Sequence, residues 1–365
     1  MTNKNKAIFL TGATGLLGSY LLKLFLEEGY NTFVLSRGIG NKHAQKRVTD
    51  SLVFWDSKFI SKKHFQNLNV LQGDLTRKNL GLCKTDIDLL KNNIDEVFHC
   101  AAGTQFNAPI EELRKINVEG TKRILDFAHV ISRKHFLNKI NYISTAFVAG
   151  KYKGEYNESD FKLGQYFNNT YEKSKFEAEM LVRKSDICGA RILIFRPSII
   201  AGEYSTGKSI DFKMFYEAIR LLSLQIFDKI PMQLNSKLNL VPVDLAAKAI
   251  FVLSSNVSDC ETFHIVAPEN FLISEIVTLS SIFFHFKKPF IIDLRNFKKC
   301  KSLFWCNKLL ETYIPYFNFS ATFGSKKTID CLKKFNFSYP SIDKNYLNRI
   351  FKFCAEKKFI TYKHL

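Results

Sequence analysis

Thr11-Gly12-Ala13-Thr14-Gly15-Leu16-Leu17-Gly18 is the stretch that decides the fold. It joins a short apolar run, Ala7–Leu10, to a segment with apolar residues at helical spacing, Gly18–Glu28 (Leu21, Leu22, Phe25, Leu26). A glycine-rich turn between a strand and a helix lets backbone N–H groups approach a pyrophosphate, held at the helix N-terminus. In this reading Gly12 makes the tight turn, Gly15 allows the close approach, and Gly18 lets helix and strand pack. The spacing is G-x-x-G-x-x-G rather than G-x-G-x-x-G, so the strand–helix context carries the assignment more than the spelling.

Outward from that loop the chain alternates. Thr32–Leu35, Asn69–Leu71, Glu96–Cys100, Ile140–Ser144 and Arg191–Arg196 read as strands, Ile116–Val130 and Tyr171–Lys184 as helices. Such alternation, with continuous apolar strands, predicts a parallel sheet covered on both faces: a Rossmann-type, doubly wound α/β fold. After Pro197 the pattern loosens. It gives a loop over 202–207, a helix over Phe212–Leu224, a strand over Leu238–Val243, a helix over Asp244–Leu253 and a last sheet strand, Thr262–Val266. Beyond Pro268, helix mixes with aromatic-rich loop (Phe304, Trp305, Tyr313, Tyr316, Phe317, Phe319, Phe323). The expected division is a dinucleotide-binding domain, residues 1–202 and 236–267, and a smaller, largely C-terminal substrate lobe, residues 203–235 and 268–365, closing over the sheet's carboxyl edge.

The 365 residues, 46% hydrophobic, can fill a sizeable core and exclude a disordered chain. The best candidate membrane span, Ala7–Leu26, carries three glycines and a lysine and is rejected. MTNKNK runs into the glycine loop instead of a cleavage site, so no export signal is read. The eight cysteines lack CxxC spacing and read as reduced thiols of a cytoplasmic protein, not metal ligands. A formal charge of +19 suits an anionic partner: a nucleotide, coenzyme A, an acidic carrier protein, or an anionic membrane surface touched peripherally. A Lys-, Asn-, Ile- and Phe-rich composition, as AT-rich codons favour, accounts for the charge equally well. No nucleic-acid motif is present, so nucleic acid is not expected. Oligomeric state is left open.

Where an NAD site puts an acid for the ribose 2′-hydroxyl, this chain has Val34-Leu35-Ser36-Arg37. A guanidinium suits a 2′-phosphate, so NADP(H) is expected over NAD(H). Asp74, in Gly73-Asp74-Leu75 after the third strand, would meet the adenine amino group. Cys100-Ala101-Ala102-Gly103 after the fourth would leave the cofactor room. The expected cofactor contacts are Gly12, Thr14, Gly15, Leu16, Leu17, Gly18, Arg37, Asp74, Leu75, Ala101, Ala102, Lys175 and Pro197.

Tyr171 and Lys175 share one face of a predicted helix. A phenol is a poor acid at neutral pH until a neighbouring ammonium stabilises its phenolate, a task that falls to Lys175. Thr145, in Tyr142-Ile143-Ser144-Thr145, would bring a hydroxyl to the same sheet edge and share a substrate oxygen with Tyr171, with Ser144 as fallback. Tyr204 and Lys208 repeat the Tyr-x-x-x-Lys spacing among loop glycines, where helical geometry fails. Gly202-Glu203-Tyr204-Ser205-Thr206-Gly207-Lys208-Ser209 also spells a P-loop. One nucleotide site is already assigned, and Asp244 after Pro242 is a poor magnesium acid, so NTP hydrolysis is not expected.

TGATGLLG, GDL, HCAAG, INVEGT, YISTAF, Tyr171-x-x-x-Lys175 and RPSIIAG occur in the order seen in extended short-chain dehydrogenase/reductases, which the chain resembles over residues 7–255. SR after the second strand, YISTAFVAG, NESDF, YEKSKFEAEMLV and RPSIIAGEYSTGKS look like the thioester reductase and fatty acyl-CoA reductase branch. The tail beyond 268 resembles that branch only in pieces such as YLNRIFKFCAEKKFI. The resemblance implies catalysis by Thr145, Tyr171 and Lys175. It also implies NADPH-dependent reduction of an acyl thioester, on coenzyme A or an acyl-carrier protein, to an aldehyde or alcohol, with long chains expected from the aromatic tail. An alcohol or ketone dehydrogenase and a nucleotide-sugar epimerase use the same triad and stay open as alternatives. A non-catalytic NADP-binding sensor is the more distant one.

Overall fold

The computed structural model describes residues 6–40, 43–293, 312–319 and 321–362. Phe304 and Trp305 of the aromatic tail lie outside them. Seven strands form one parallel sheet: β1 (Ala7–Thr11), β2 (Asn31–Ser36), β3 (Leu68–Gln72), β4 (Glu96–His99), β5 (Lys139–Ile143), β6 (Arg191–Pro197) and β7 (Glu261–Ile265). Their order is β3-β2-β1-β4-β5-β6-β7. This is the doubly wound α/β architecture read from the sequence. The order reverses between β1 and β4, and ligands of such sheets bind outside the carboxyl ends of the strands at that point.

Side chains alternate along each strand, so both faces are filled. Ile8 and Leu10 enter one core with the helices Leu16–Glu27 and Val243–Asn256; Phe9 enters the other with Glu119–Ser132 and Thr170–Lys184. The helix Leu16–Glu27 buries Leu17, Leu21, Leu22, Phe25 and Leu26 on one stripe. It stops at Gly29, whose φ of +83° and two return bonds, Gly29 N–H to the Leu26 carbonyl and Tyr30 N–H to that of Phe25, form a Schellman cap.

Several expectations for the second half are corrected. Leu238–Val243 does not form one strand. Lys237–Leu238 pairs antiparallel with Phe271–Leu272, while Leu240–Pro242 runs parallel to Ile199–Ala201 outside the main sheet. Pro242, without an N–H, ends that strand and caps the helix Val243–Asn256. The helix expected from Phe212 begins at Phe215, because Met214 holds φ +47° and ψ −99°. The helix expected from Ile116 is preceded by a π-turn, Arg114–Val118. A third core gathers Ile199, Phe215, Ile219, Phe227, Phe271, Ile276, Tyr316, Tyr346 and Ile350. The helix Lys326–Lys334, assigned from sequence to the substrate lobe, instead puts Leu332 in the sheet-side core. Glu158 of NESDF fastens it there by accepting from Lys327 N–H (3.1 Å), Thr328 N–H (3.0 Å) and the Thr328 hydroxyl.

Behind the sheet's carboxyl edge Glu179 and Arg196, both without exposure, form an ion pair at 2.7 Å. The carboxylate also accepts from Arg183 (2.8 Å) and the Ser144 hydroxyl (2.5 Å). The guanidinium donates to the Asp160 carbonyl (2.8 Å) and approaches His264 Nε2 (3.3 Å). Removing one partner strands the other charge in the core. Glu179→Ala is therefore expected to lower unfolding free energy by about 3–5 kcal/mol in urea titration. An unchanged midpoint would show that Arg196 is satisfied without it.

Candidate active site

The glycine loop is built by steric necessity at two positions and left open at a third. A Cβ on Gly12, at φ +79°, would lie 2.6 Å from Ala101 N, and one on Gly18 2.2 Å from the Gly12 carbonyl oxygen. Gly18 thus packs on the loop itself rather than on a strand. A Cβ on Gly15 would meet only the Gly12 oxygen at 3.4 Å, an ordinary contact. Packing alone does not demand glycine at position 15, whereas a ligand backbone seated on the loop does. The helix that follows has no acidic residue in its first turn and no side-chain cap. Its first N–H groups therefore remain available to an anion.

That loop floors a cavity of about 540 Å³ at the β1/β4 switch point. The expected cofactor and catalytic residues all line it: Gly12, Thr14, Gly15, Leu16, Leu17, Gly18, Arg37, Asp74, Leu75, Ala101, Ala102, Thr145, Tyr171, Lys175 and Pro197. Asp74 Oδ1 accepts from the Thr76 N–H and hydroxyl, both at 2.8 Å. Arg37 is exposed, and its carbonyl accepts from Arg47 Nη1 at 2.6 Å. Arg47 was not anticipated. Its Nη2 donates to the Thr14 hydroxyl at 3.3 Å, which places a second guanidinium on the same wall.

A line of hydrogen bonds sets the floor under β1 and β4. The Thr121 hydroxyl donates to the Asn117 carbonyl (2.5 Å), leaving its oxygen to accept from His99 Nε2 (3.0 Å). His99 Nδ1 then accepts from the Thr11 hydroxyl (2.8 Å), which in turn accepts from Ala101 N–H (3.2 Å). Burial pushes His99 down to about 3, so the ring is neutral. Asn117 of INVEGT, quoted but given no role from sequence, clamps Gly103 through both backbone groups (2.7 and 3.0 Å) and donates to Ser174 (2.8 Å). Cys100 beside it lines the cavity, and burial pushes its thiol up to about 12.

The helix Thr170–Lys184 starts at Asn169, whose side chain accepts from Glu172 N–H at 2.9 Å, while Glu172 accepts from Asn168 N–H at 2.8 Å. This reciprocal cap fixes Tyr171 in the first turn. Thr145 Oγ1 accepts from Phe147 N–H at 3.2 Å and donates to the Pro197 carbonyl at 3.4 Å, and Tyr171 lines the same cavity. Two hydroxyl-bearing side chains therefore belong to one cavity wall. Ser144, the fallback, donates instead to Glu179. Burial pushes Tyr171 up to about 12, while Lys175 Nζ donates to the Ile143 carbonyl (2.8 Å) and lies 4.5 Å from the Tyr142 ring centre. Burial brings Lys175 itself down to about 8.

The second Tyr-x-x-x-Lys pair and the P-loop spelling are structural. Tyr204 donates to the Ser341 carbonyl (3.0 Å), and Lys208 to that of Trp55 (3.3 Å). The loop's N–H groups are spent within the protein: Gly202 on Tyr216, Glu203 on the Lys208 carbonyl, Tyr204 on Asp244, Gly207 on the Glu203 carbonyl. No nest for phosphate remains among these groups, and the next helix begins only at Phe215.

Lys175 yields a stability test. Its folded pKa lies below the unfolded value of 10.5, so its burial penalty is full below about pH 8 and is relieved as pH rises through 10.5. Lys175→Met is expected to raise unfolding free energy at pH 7 by about 2 kcal/mol, less than the shift alone implies because the Ile143 carbonyl loses its donor. The gain should shrink between pH 8 and 10 in denaturant titrations. A pH-independent gain would place the cause in packing.

The male sterility protein family model matches residues 10–250. Over 275 residues the chain is 27% identical to the nonribosomal peptide synthetase asaC of Aspergillus flavus, covering 71% of this chain and 26% of that protein. It is 26% identical over 286 residues to fatty acyl-CoA reductase wat of Drosophila melanogaster, covering 68% and 54%. The chain thus spans about a quarter of the first relative and about half of the second. The terminal R domain of the myxalamid PKS-NRPS pathway superposes with a TM-score of 0.82 at 23% identity, covering 100% of this chain and 94% of that one, and so shares its fold. Among the described residues no helix is long and apolar enough to cross a membrane. With the family model covering most of the sheet and the whole glycine loop, the chain belongs to the male sterility protein family of NAD-binding oxidoreductases.

Proposed function

We propose that this protein uses NADPH to reduce an acyl thioester, presented on coenzyme A or a phosphopantetheinyl carrier, to the aldehyde. The observation that carries the reading is that Thr145, Tyr171 and Lys175 line the same cavity that the glycine loop floors. The names of the relatives, a nonribosomal peptide synthetase and a fatty acyl-CoA reductase, support a thioester over a ketone or a nucleotide sugar. The positive charge supports an anionic carrier.

Gly12, Gly15, Gly18 and Arg37 would hold NADPH, which when bound would supply the hydride for the carbonyl carbon. Thr145 and Tyr171 donate to the carbonyl oxygen as it gains charge, an arrangement that favours the transition state over the substrate. With its phenol near 12, Tyr171 stays protonated at neutral pH and can hand its proton to that oxygen. The resulting thiohemiacetal loses thiol to give the aldehyde. Lys175 would hold the nicotinamide-side ribose by leaving the Ile143 carbonyl. Residues 203–235 and 268–365, apart from the helix Lys326–Lys334, would supply the acyl side.

Arg37 and Arg47 together support NADPH over NADH, as two guanidiniums suit a 2′-phosphate. Arg37→Ala and Arg47→Ala are each expected to weaken NADPH binding by about 1.5–3 kcal/mol while leaving NADH nearly unaffected. Equal losses for both cofactors would remove that arginine from the 2′-phosphate.

Turnover provides the decisive assay: NADPH consumption at 340 nm followed together with free thiol, trapped by a dye. Matched loss of NADPH and appearance of thiol is expected. NADPH loss without thiol, on aldehydes only, would leave the site standing and refute the thioester. Tyr171→Phe should abolish turnover and keep NADPH binding, whereas Tyr204→Phe should change neither.

A further inference from the structure

Next to the cofactor cavity lies a second, smaller pocket of about 40 Å³ whose walls are apolar. The two share Ile199 and Met214, so one opens beside the other. Ala218, Leu222 and Val277 are among its walls, with Tyr313 and Tyr316. Both phenols are engaged elsewhere, Tyr313 on Glu217 (2.9 Å) and Tyr316 on Glu172 (2.8 Å), so they offer the pocket ring surface and no free polar group. Its walls connect to Tyr171 and Thr145. Tyr316 bonds the residue next to Tyr171, Phe106 packs between both rings (5.6 and 5.4 Å), and Ile199 lies two residues beyond Pro197, whose carbonyl accepts from Thr145.

Met214 marks the junction. Its φ of +47° is an uncommon conformation for a side-chain-bearing residue, and such strain persists where surrounding structure holds it, often at ligand clamps. A flexible thioether there can fit itself to a passing chain.

We infer that this pocket is the acyl-chain subsite, and that it selects short unbranched aliphatic acyl groups. The inference rests on the thioester reading and narrows it. One water-sized group needs about 10–15 Å³ of such space, so the pocket takes about three or four methylenes. That is a shorter chain than the one expected from the aromatic tail. A carboxylate or ammonium at the chain end would lose its hydration with no partner among these walls.

The test compares kcat/KM for acetyl, butyryl, hexanoyl, dodecanoyl and succinyl pantetheine thioesters, and for the free aldehydes of the first four chains. Each methylene that enters should raise kcat/KM about fourfold, up to hexanoyl, with no further gain at dodecanoyl. Succinyl should fall about 100-fold below butyryl. Ala218→Phe, which fills the pocket, should reduce the hexanoyl-to-acetyl ratio about tenfold or more. Leu222→Ala, which enlarges it, should move the optimum to longer chains and decides the matter alone if the first variant does not fold. A ratio unmoved by the variants, or succinyl matching butyryl, overturns the subsite. Thioester reduction with a flat chain profile also overturns it and leaves the proposed function intact. Aldehyde reduction with this profile but no thioester turnover overturns the thioester reading and keeps the pocket. Turnover of neither series overturns both.

Discussion

Glu179 and Arg196 meet out of reach of solvent, and the geometry of the site follows from how their remaining hydrogen-bonding capacity is met. A buried pair of this kind contributes little net stability; what it imposes is position, since each unsatisfied lone pair or N–H is expensive. Glu179 reaches the Ser144 hydroxyl, which ties the end of β5 to the helix carrying Tyr171 and Lys175. Arg196 takes the Asp160 carbonyl, and its neighbour His264, pushed down to about 3 by burial, donates through Nδ1 to the Gly324 carbonyl. The two charges thereby join the end of β5, a helix, the NESDF loop and the chain's last third. Thr145, one residue beyond Ser144, inherits its place from them.

The other half of the site depends on neutral groups. The run from Asn117 through Thr121, His99 and Thr11 to Ala101 has one consistent direction of donation, and it requires an uncharged imidazole. A protonated ring would set a second donor against Thr11, whose hydroxyl would have to turn and abandon its present partner. The backbone at Ala101 approaches Gly12 too closely for any side chain there, so the glycine loop and the β4 end are set against each other by sterics above and hydrogen bonds below.

Much of this was legible in the sequence because local rules and the global fold agree there. Strand periodicity, the loop glycines and Tyr171 with Lys175 four residues on each follow from short-range geometry. Arg47 was not legible. It lies on an amphipathic helix, where a solvated arginine needs no explanation, and only the third dimension brings it beside Thr14. Leu240–Pro242 reads as a sheet strand by composition, and its partner, Ile199–Ala201, depends on a bend after Pro197 that no periodicity reports. The ammonium's partner was not legible either: spacing puts Tyr171 and Lys175 on one helix face, but the Ile143 carbonyl, at the end of β5, accepts from Lys175. The P-loop spelling, set aside from the sequence, is a motif whose donors the tertiary structure has already used.

Cys100 gives this arrangement a chemical selectivity of its own. On the proposed chemistry an activated acyl group is held in a cavity whose wall includes a thiol, and an ordinary cysteine there would compete for it by acyl exchange. Attack needs the thiolate, and desolvation pushes the half-buried Cys100 thiol up, which lowers its thiolate fraction at neutral pH. Cys100 is thereby less able to capture the incoming acyl group or to add to the aldehyde formed beside it.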